Sequence, residues 1–235
     1  MHRVATYNVH GCVGADGRRD VQRIAAVIRS LDADVVGLQE VDCRGHAQPD
    51  QLDVLARACG MCAVAGPTIV DAAGFYGIAL LARCAIVASE RVDLSVPGRE
   101  PRLALAVALE IDGMTVRHVV THFGLGARER RRQRRRLLPL LATPAVLFGD
   151  FNQWWPWEET LADLEPELGV SPPRPTFPAR FPVLPLDRVW VRPARALVSV
   201  ERHADSLARV ASDHLPLVAH LDTARLDTQA ALTSS

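Results

Sequence analysis

Ala145-Val146-Leu147-Phe148-Gly149-Asp150-Phe151-Asn152 joins four apolar residues to a tetrad rich in turn formers and side-chain oxygen. The first half reads as a short buried strand. The second half in isolation is compatible with a plain turn, because Gly, Asp and Asn all favour turns. Working outward, the same arrangement recurs. Val4–Val9 is a strand carrying Asn8, Val35–Gln39 is a strand ending at Glu40, and Met114–Thr121 is a strand ending at His122. Polar groups therefore recur at strand ends, and that recurrence is where function enters.

Between these strands the periodicity changes. Asp20 is suited to cap a helix whose buried stripe is Ile24, Val27, Ile28 and Leu31. A second helix runs through Leu52 and Leu55 to Gly60. Cys62–Ala65, Ile78–Ala82, Ile86–Leu94, Leu103–Ile111, Val189–Val191 and Leu217–His220 read as further strands, with Asp112-Gly113 a two-residue hairpin turn before Met114. Ala127–Leu141 reads as a helix, Ser171–Pro185 as a proline-rich surface loop and Ala224–Ser235 as a loose tail. No repeat or linker divides the chain. Residues 1–222 are expected to form a single α/β layered domain, followed by a flexible tail over 223–235.

Composition narrows the function classes. The 235 residues carry 27 basic and 27 acidic side chains, so no global field announces a polyanionic partner. All the basic residues are Arg, which reads as coding bias. The N-terminus has no apolar signal core and no run is long enough to span a membrane, so the expectation is a cytoplasmic protein. Five cysteines suggest no disulfide framework. Cys43, His46, Cys59 and Cys62 have a zinc-like spacing, but Leu52, Leu55 and Ala56 form a helix face between them. Buried or incidental thiols are the reading preferred here.

The polar residues fit one chemistry when taken together. Phosphate ester hydrolysis needs hard oxygen ligands for a divalent cation, donors for phosphoryl oxygens and a group that prepares water. Glu40 is a hard ligand, Asn8 and Asn152 are amides, and His122 and His214 are proton-capable. Asp150, Asp187 and Asp213 are carboxylates suited to hold metal or orient imidazole.

The ordered series Thr6-Tyr7-Asn8-Val9-His10, Leu38-Gln39-Glu40-Val41, Thr121-His122-Phe123-Gly124, Gly149-Asp150-Phe151-Asn152, Leu186-Asp187-Arg188-Val189 and Ser212-Asp213-His214-Leu215-Pro216 resembles the endonuclease/exonuclease/phosphatase superfamily. The resemblance implies a four-layer α/β sandwich, in which two facing, mostly antiparallel β-sheets are flanked by helices. It implies a hydrolase using Mg²⁺ or Mn²⁺, with Glu40 as principal metal ligand, Asn8 close to metal and phosphate, and Asp213 a further metal-side carboxylate. Asp187 would orient His214, Asp150 and Asn152 would prepare the water, and His122 would stabilise phosphoryl oxygens. Arg102 resembles an Arg before a strand in some bacterial members and is a candidate phosphate contact. Where the family's interior strand often has Asn, this chain has Ile78.

Two segments bear on substrate. Gln153-Trp154-Trp155-Pro156-Trp157 follows the Asn152 tetrad, and Trp154 is suited to stack on a substrate at the cleft rim. Arg128–Arg136 is a basic run on a helix, where arginines are expected to spread around the cylinder as a solvated surface. The partner is therefore a phosphate ester, either a nucleic acid or a small or lipid phosphoester, with no stable protein partner implied. The alternative is a non-catalytic nucleic-acid-binding module on the same fold. Retention of Glu40, Asp150, Asn152, Asp187, Asp213 and His214 argues against it.

Overall fold

The computed structural model describes residues 1–45, 50–141, 144–155, 158, 160–161 and 164–226. Among these, β1 (His2–Asn8), β2 (Val35–Asp42), β3 (Cys62–Asp71), β4 (Gly74–Ala82), β10 (Leu197–Arg202) and β11 (Leu217–Leu221) form one sheet in the order β10-β11-β1-β2-β4-β3. The second sheet has the order β5-β6-β7-β8-β9, from β5 (Ile86–Asp93), β6 (Leu103–Ile111), β7 (Met114–His122), β8 (Ala145–Asp150) and β9 (Asp187–Arg192). Only β1–β2 and β7–β8 pair in parallel, so each sheet is mixed and mostly antiparallel.

The layers follow from strands that are apolar on both faces. Val4, Leu80, Leu105, Val120, Phe148, Val189 and Leu217 meet in the seam between the sheets. The alternate residues Ala5, Tyr7, Val36 and Leu38 face the other way, onto α1 (Val21–Ser30) and α2 (Gln51–Cys59). On the second sheet Ala104, Val119, Leu147 and Trp190 pack outward with Leu137 of α3 (Ala127–Leu137) and with Phe151 and Leu164. Three apolar interfaces thus separate four layers, as the resemblance implies. The sheets meet closely at Gly37, where an added Cβ would lie 2.5 Å from the Phe148 ring.

Local chemistry sets the element ends. The Asp20 carboxylate accepts from Arg23 N at the start of α1, and α2 stops at Gly60 with φ 63°. Asp112 and Gly113 turn the β6–β7 hairpin with φ 49° and 79°. α3 is shorter than the expected Ala127–Leu141. It gives way to a 3-10 turn at Leu138–Leu140, where Pro139 supplies no backbone donor.

Several expectations need correction. β3 and β4 extend well beyond Cys62–Ala65 and Ile78–Ala82 because they pair with each other along a long hairpin. β10 lacked a sequence signal, since its residues are only partly buried at a sheet edge. Ser171–Pro185 is not merely a surface loop: Thr176 and Ala179 are buried, and the segment is hydrogen-bonded to Asp213 and Leu215. Of the expected tail 223–235, Thr223–Leu226 is folded and Leu226 is fully buried, whereas 227–235 lies outside the described residues. No described helix is long and apolar enough to cross a membrane. His46 lies outside the described residues, and Cys43, Cys59 and Cys62 form no metal-holding group among those described.

Candidate active site

The two parallel strand pairs decide where the polar residues gather. Parallel pairing aligns the C-terminal ends of β1 and β2, placing Asn8 opposite Gln39 and beside Glu40. It also aligns the ends of β7 and β8, setting His122 opposite Asp150. β9 runs antiparallel to β8 and begins at Asp187, opposite Asp150. β11 is antiparallel to β1, which brings the preceding Ser212-Asp213-His214 segment to the same rim, tied by a 2.8 Å bond from Ser212 Oγ to Asn8 O.

Backbone irregularity aims the side chains. Glu40 has φ 57° and sits where the β2–β4 register shifts between Leu38 and Val41, a bulge that turns it off the ladder. Gly149 has φ 153°, and a Cβ there would collide with the Thr121 carbonyl, so only glycine lets β8 approach β7 just before Asp150. Asn152 at φ 49° folds back so that its N–H donates to Asp150 Oδ1 at 2.9 Å.

Asp150 lies at the centre and is buried. The Asn8 amide donates to Asp150 Oδ2 at 3.1 Å and to Glu40 Oε1 at 2.9 Å, tying a carboxylate from each sheet to one NH₂ group. His122 Nε2 and His214 Nε2 face the same Asp150 oxygen at 3.5 and 3.7 Å. Burial raises the Asp150 pKa, and although His214 opposes the shift, it stands at about 7.

The two histidines differ in charge. His214 Nδ1 is 2.8 Å from Asp187 Oδ2, which also accepts from Thr176 Oγ1 at 2.6 Å. Burial alone would lower the His214 pKa, but the Asp187 and Asp150 carboxylates outweigh it and raise it to about 10. His122 is pushed well below its ordinary value, by burial first and the adjacent Arg102 second. Arg102 Nη1 lies 3.2 Å from His122 Nδ1 and the Asn152 amide nitrogen 3.1 Å from Nε2, so donors face both nitrogens of the neutral ring.

Arg102, the expected phosphate contact, is engaged within the protein. It is 6% exposed, and its guanidinium is divided between both oxygens of Glu100 and the His122 ring. Trp154 is half-buried with its ring 5.4 Å from Phe177, whose own ring lies 5.0 Å from His214. It therefore forms part of the wall beside the cleft. Asp213, expected beside Glu40 and Asn8, pairs with His10 at 3.2 Å. That half-exposed His10 was in the quoted motif but not among the expected site residues. Thr176 and Phe177 were hidden in the proline-rich stretch and carried no signal.

The donor set suits a hard divalent cation. Glu40 and Asp150 bring carboxyl groups from two sheets onto the Asn8 amide, and the partly exposed Glu40 is the hard oxygen ligand at the cleft. Asp150, Asp187 and His214 also form a buried group whose ligand atoms lie within 4.8 Å of one another and could hold a metal. There, however, His214 Nδ1 and Asp187 Oδ2 are already engaged with each other.

The basic helix divides differently from the expectation. Arg128, Arg131, Arg132, Arg135 and Arg136 are exposed and fall on one side of α3, while Arg130 and Arg134 are buried. Arg130 donates to the carbonyls of Gly124 and Leu125 and pairs with Glu158; Arg134 donates to Thr160 O. The inward arginines thus hold the segments that follow His122 and Asn152.

Residues 5–214 match the model of the endonuclease/exonuclease/phosphatase family. An uncharacterized protein of Escherichia coli K12, YbhP, is 29% identical over 248 residues, spanning 93% of this chain and 95% of its own. The crystal structure of an endonuclease/exonuclease/phosphatase from Beutenbergia cavernae is 27% identical, with TM-score 0.75 over 94% of this chain and 71% of that one. A mannosyl-6-phosphatase from Bacteroides thetaiotaomicron shares the fold at 20% identity, with TM-score 0.71 over 94% of this chain and all of that one.

Proposed function

We propose that this chain, which belongs to the endonuclease/exonuclease/phosphatase family, is a metal-assisted phosphoester hydrolase. The observation that carries the reading is the Asp187–His214–Asp150 arrangement, closed by Asn8, Asn152 and His122 in one buried cluster. Glu40, with the Asn8 amide, would hold the cation. It would neutralise phosphoryl charge and polarise the phosphorus–oxygen bond.

Protonation assigns the remaining roles. With a pKa of about 10, His214 is an imidazolium at neutral pH and a donor, held by Asp187 with Nε2 toward the cleft. Asp150, at about 7, is poised to accept a proton. Water therefore attacks phosphorus while Asp150 takes its proton. The ester phosphorus–oxygen bond breaks, and the departing oxygen receives a proton from His214. Neutral His122 and the Asn152 amide beside it flank the phosphoryl oxygens.

The test is hydrolysis of bis-p-nitrophenyl phosphate and p-nitrophenyl phosphate with Mg²⁺, with Mn²⁺ and with excess EDTA. Turnover of either ester that is lost in EDTA is expected. Undiminished turnover in EDTA removes the metal role, and tight nucleic-acid binding without hydrolysis of any ester favours a binding module.

A further inference from the structure

Beside the cleft lies a groove of about 210 Å³, walled by His10 and Asp213 on the site side and by Val13, Pro178, Arg180 and Arg209 beyond. It is joined rigidly to the site, because Ala179 N donates to Asp213 O at 2.7 Å and Ala15 N to Val210 O at 3.0 Å. The charges in it are unevenly matched. Asp213 is paired with His10 at 3.2 Å, and nearby Asp16 with Arg23 at 2.9 Å. Arg180 and Arg209 form no carboxylate pair among the described residues. Arg180 is exposed with its guanidinium 5.6 Å from the Phe181 ring centre, and Arg209 makes only long bonds, 3.4 Å each, to the carbonyls of Ala179 and Arg180.

From this geometry we infer that the groove is a second anion subsite, and that the preferred substrate carries a phosphoryl group in addition to the scissile one. The inference rests on the hydrolase reading for its substrate. Two arginines from different segments line this one groove, and their guanidinium donors suit the oxygens of a phosphoryl group. Val13 and Pro178 offer apolar contact to the carbon scaffold linking the two phosphates. The ligand class is a compact bisphosphorylated molecule, with a nucleoside or a sugar as scaffold.

The kinetic experiment compares the p-nitrophenyl ester of thymidine 5′-phosphate with the same ester bearing a 3′-phosphate. The added phosphate is expected to lower KM about 10-fold, the effect of one good charge-assisted contact. The ratio should collapse toward 1 in Arg180→Gln and in Arg180→Gln/Arg209→Gln. The exposed single variant serves if loss of Arg209 disturbs folding. Calorimetry provides a readout independent of turnover, comparing thymidine 3′,5′-bisphosphate with thymidine 5′-monophosphate, and fructose 1,6-bisphosphate with fructose 6-phosphate. A bisphosphate preference that the variants abolish supports the subsite, and the pair that shows it identifies the scaffold. Equal affinities in both pairs, or a preference the variants retain, overturns it. Failure to hydrolyse either ester counts against the hydrolase reading alone, because binding still decides the subsite.

Discussion

His214 and His118 are both buried, yet the protein drives them to opposite charge states. His214 lies at the rim between Asp187 and Asp150, which lift its pKa to about 10 against the pull of burial. His118 lies in β7 beside His2 and Phe148, its Nδ1 near the Val116 carbonyl, and burial drops its pKa to about 3. Burial costs the charged form in both places. Carboxylates reverse the outcome only at the rim, where the parallel strand ends bring them together. The seam and the rim are therefore one sandwich with two electrostatic regimes.

The largest effect should come from removing the charged member. His214→Ala is expected to lower turnover of a phosphodiester by ~10²–10⁴-fold, the usual worth of a general acid–base group. Circular dichroism should show the fold intact, and near-wild-type turnover would end the assignment of His214 as donor. Asp187→Asn should also be severe, and should shift the alkaline limb of the rate profile to lower pH, because the ring loses the carboxylate that holds its proton. An unmoved limb would separate His214 from Asp187.

Glu40→Gln comes next. It keeps the shape but removes one charge from the carboxylates that meet at Asn8. Activity in Mg²⁺ should fall about 10²-fold or more and recover in part at high Mn²⁺. Equal activity at all metal concentrations would place the cation elsewhere.

Arg102→Gln tests an indirect contribution. Because Arg102 donates to Nδ1 of His122, its loss should raise the His122 pKa and move the acidic limb of the rate profile upward. An unchanged limb accompanied only by a higher KM would make Arg102 a substrate contact.

The smallest effect belongs to the neutral histidine. The folded pKa of His118 lies below its unfolded value of roughly 6.5, so its contribution to stability is complete above that value. The contribution is lost as pH falls toward about 3, since the unfolded chain binds the proton first. His118→Leu should flatten the loss of stability between these limits by up to about 1.4 kcal/mol per pH unit, measured by urea unfolding, with turnover unchanged. A lost turnover would mean that seam and rim are coupled.

The flanking helices show how far sequence alone could be read. In α1 the stripe Ile24, Val27, Ile28 and Leu31 is apolar, and it is the face that packs. In α3 every residue from Arg128 to Arg136 is charged or polar, so no stripe marks an inner face. Yet Glu129, Arg130, Gln133 and Arg134 are buried because nearby carbonyls, amides and Glu158 satisfy them. Periodicity reports apolar burial and is silent on polar burial that depends on distant partners.

Sequence by itself determined the strands with apolar runs, the Asp20 cap, the Asp112-Gly113 hairpin and the rim positions of Asn8, Glu40, His122, Asp150, Asp187 and His214. These rest on local period, turn chemistry and ordered motifs carried by neighbouring residues. Only the tertiary structure decided that Arg102 serves His122, that Asp213 turns to His10, that Thr176 supports Asp187 and that α3 sorts its arginines into two sets. Those choices belong to side chains from separate segments competing for the same partner. Their outcome depends on distance and burial, which exist only once the sheets have packed.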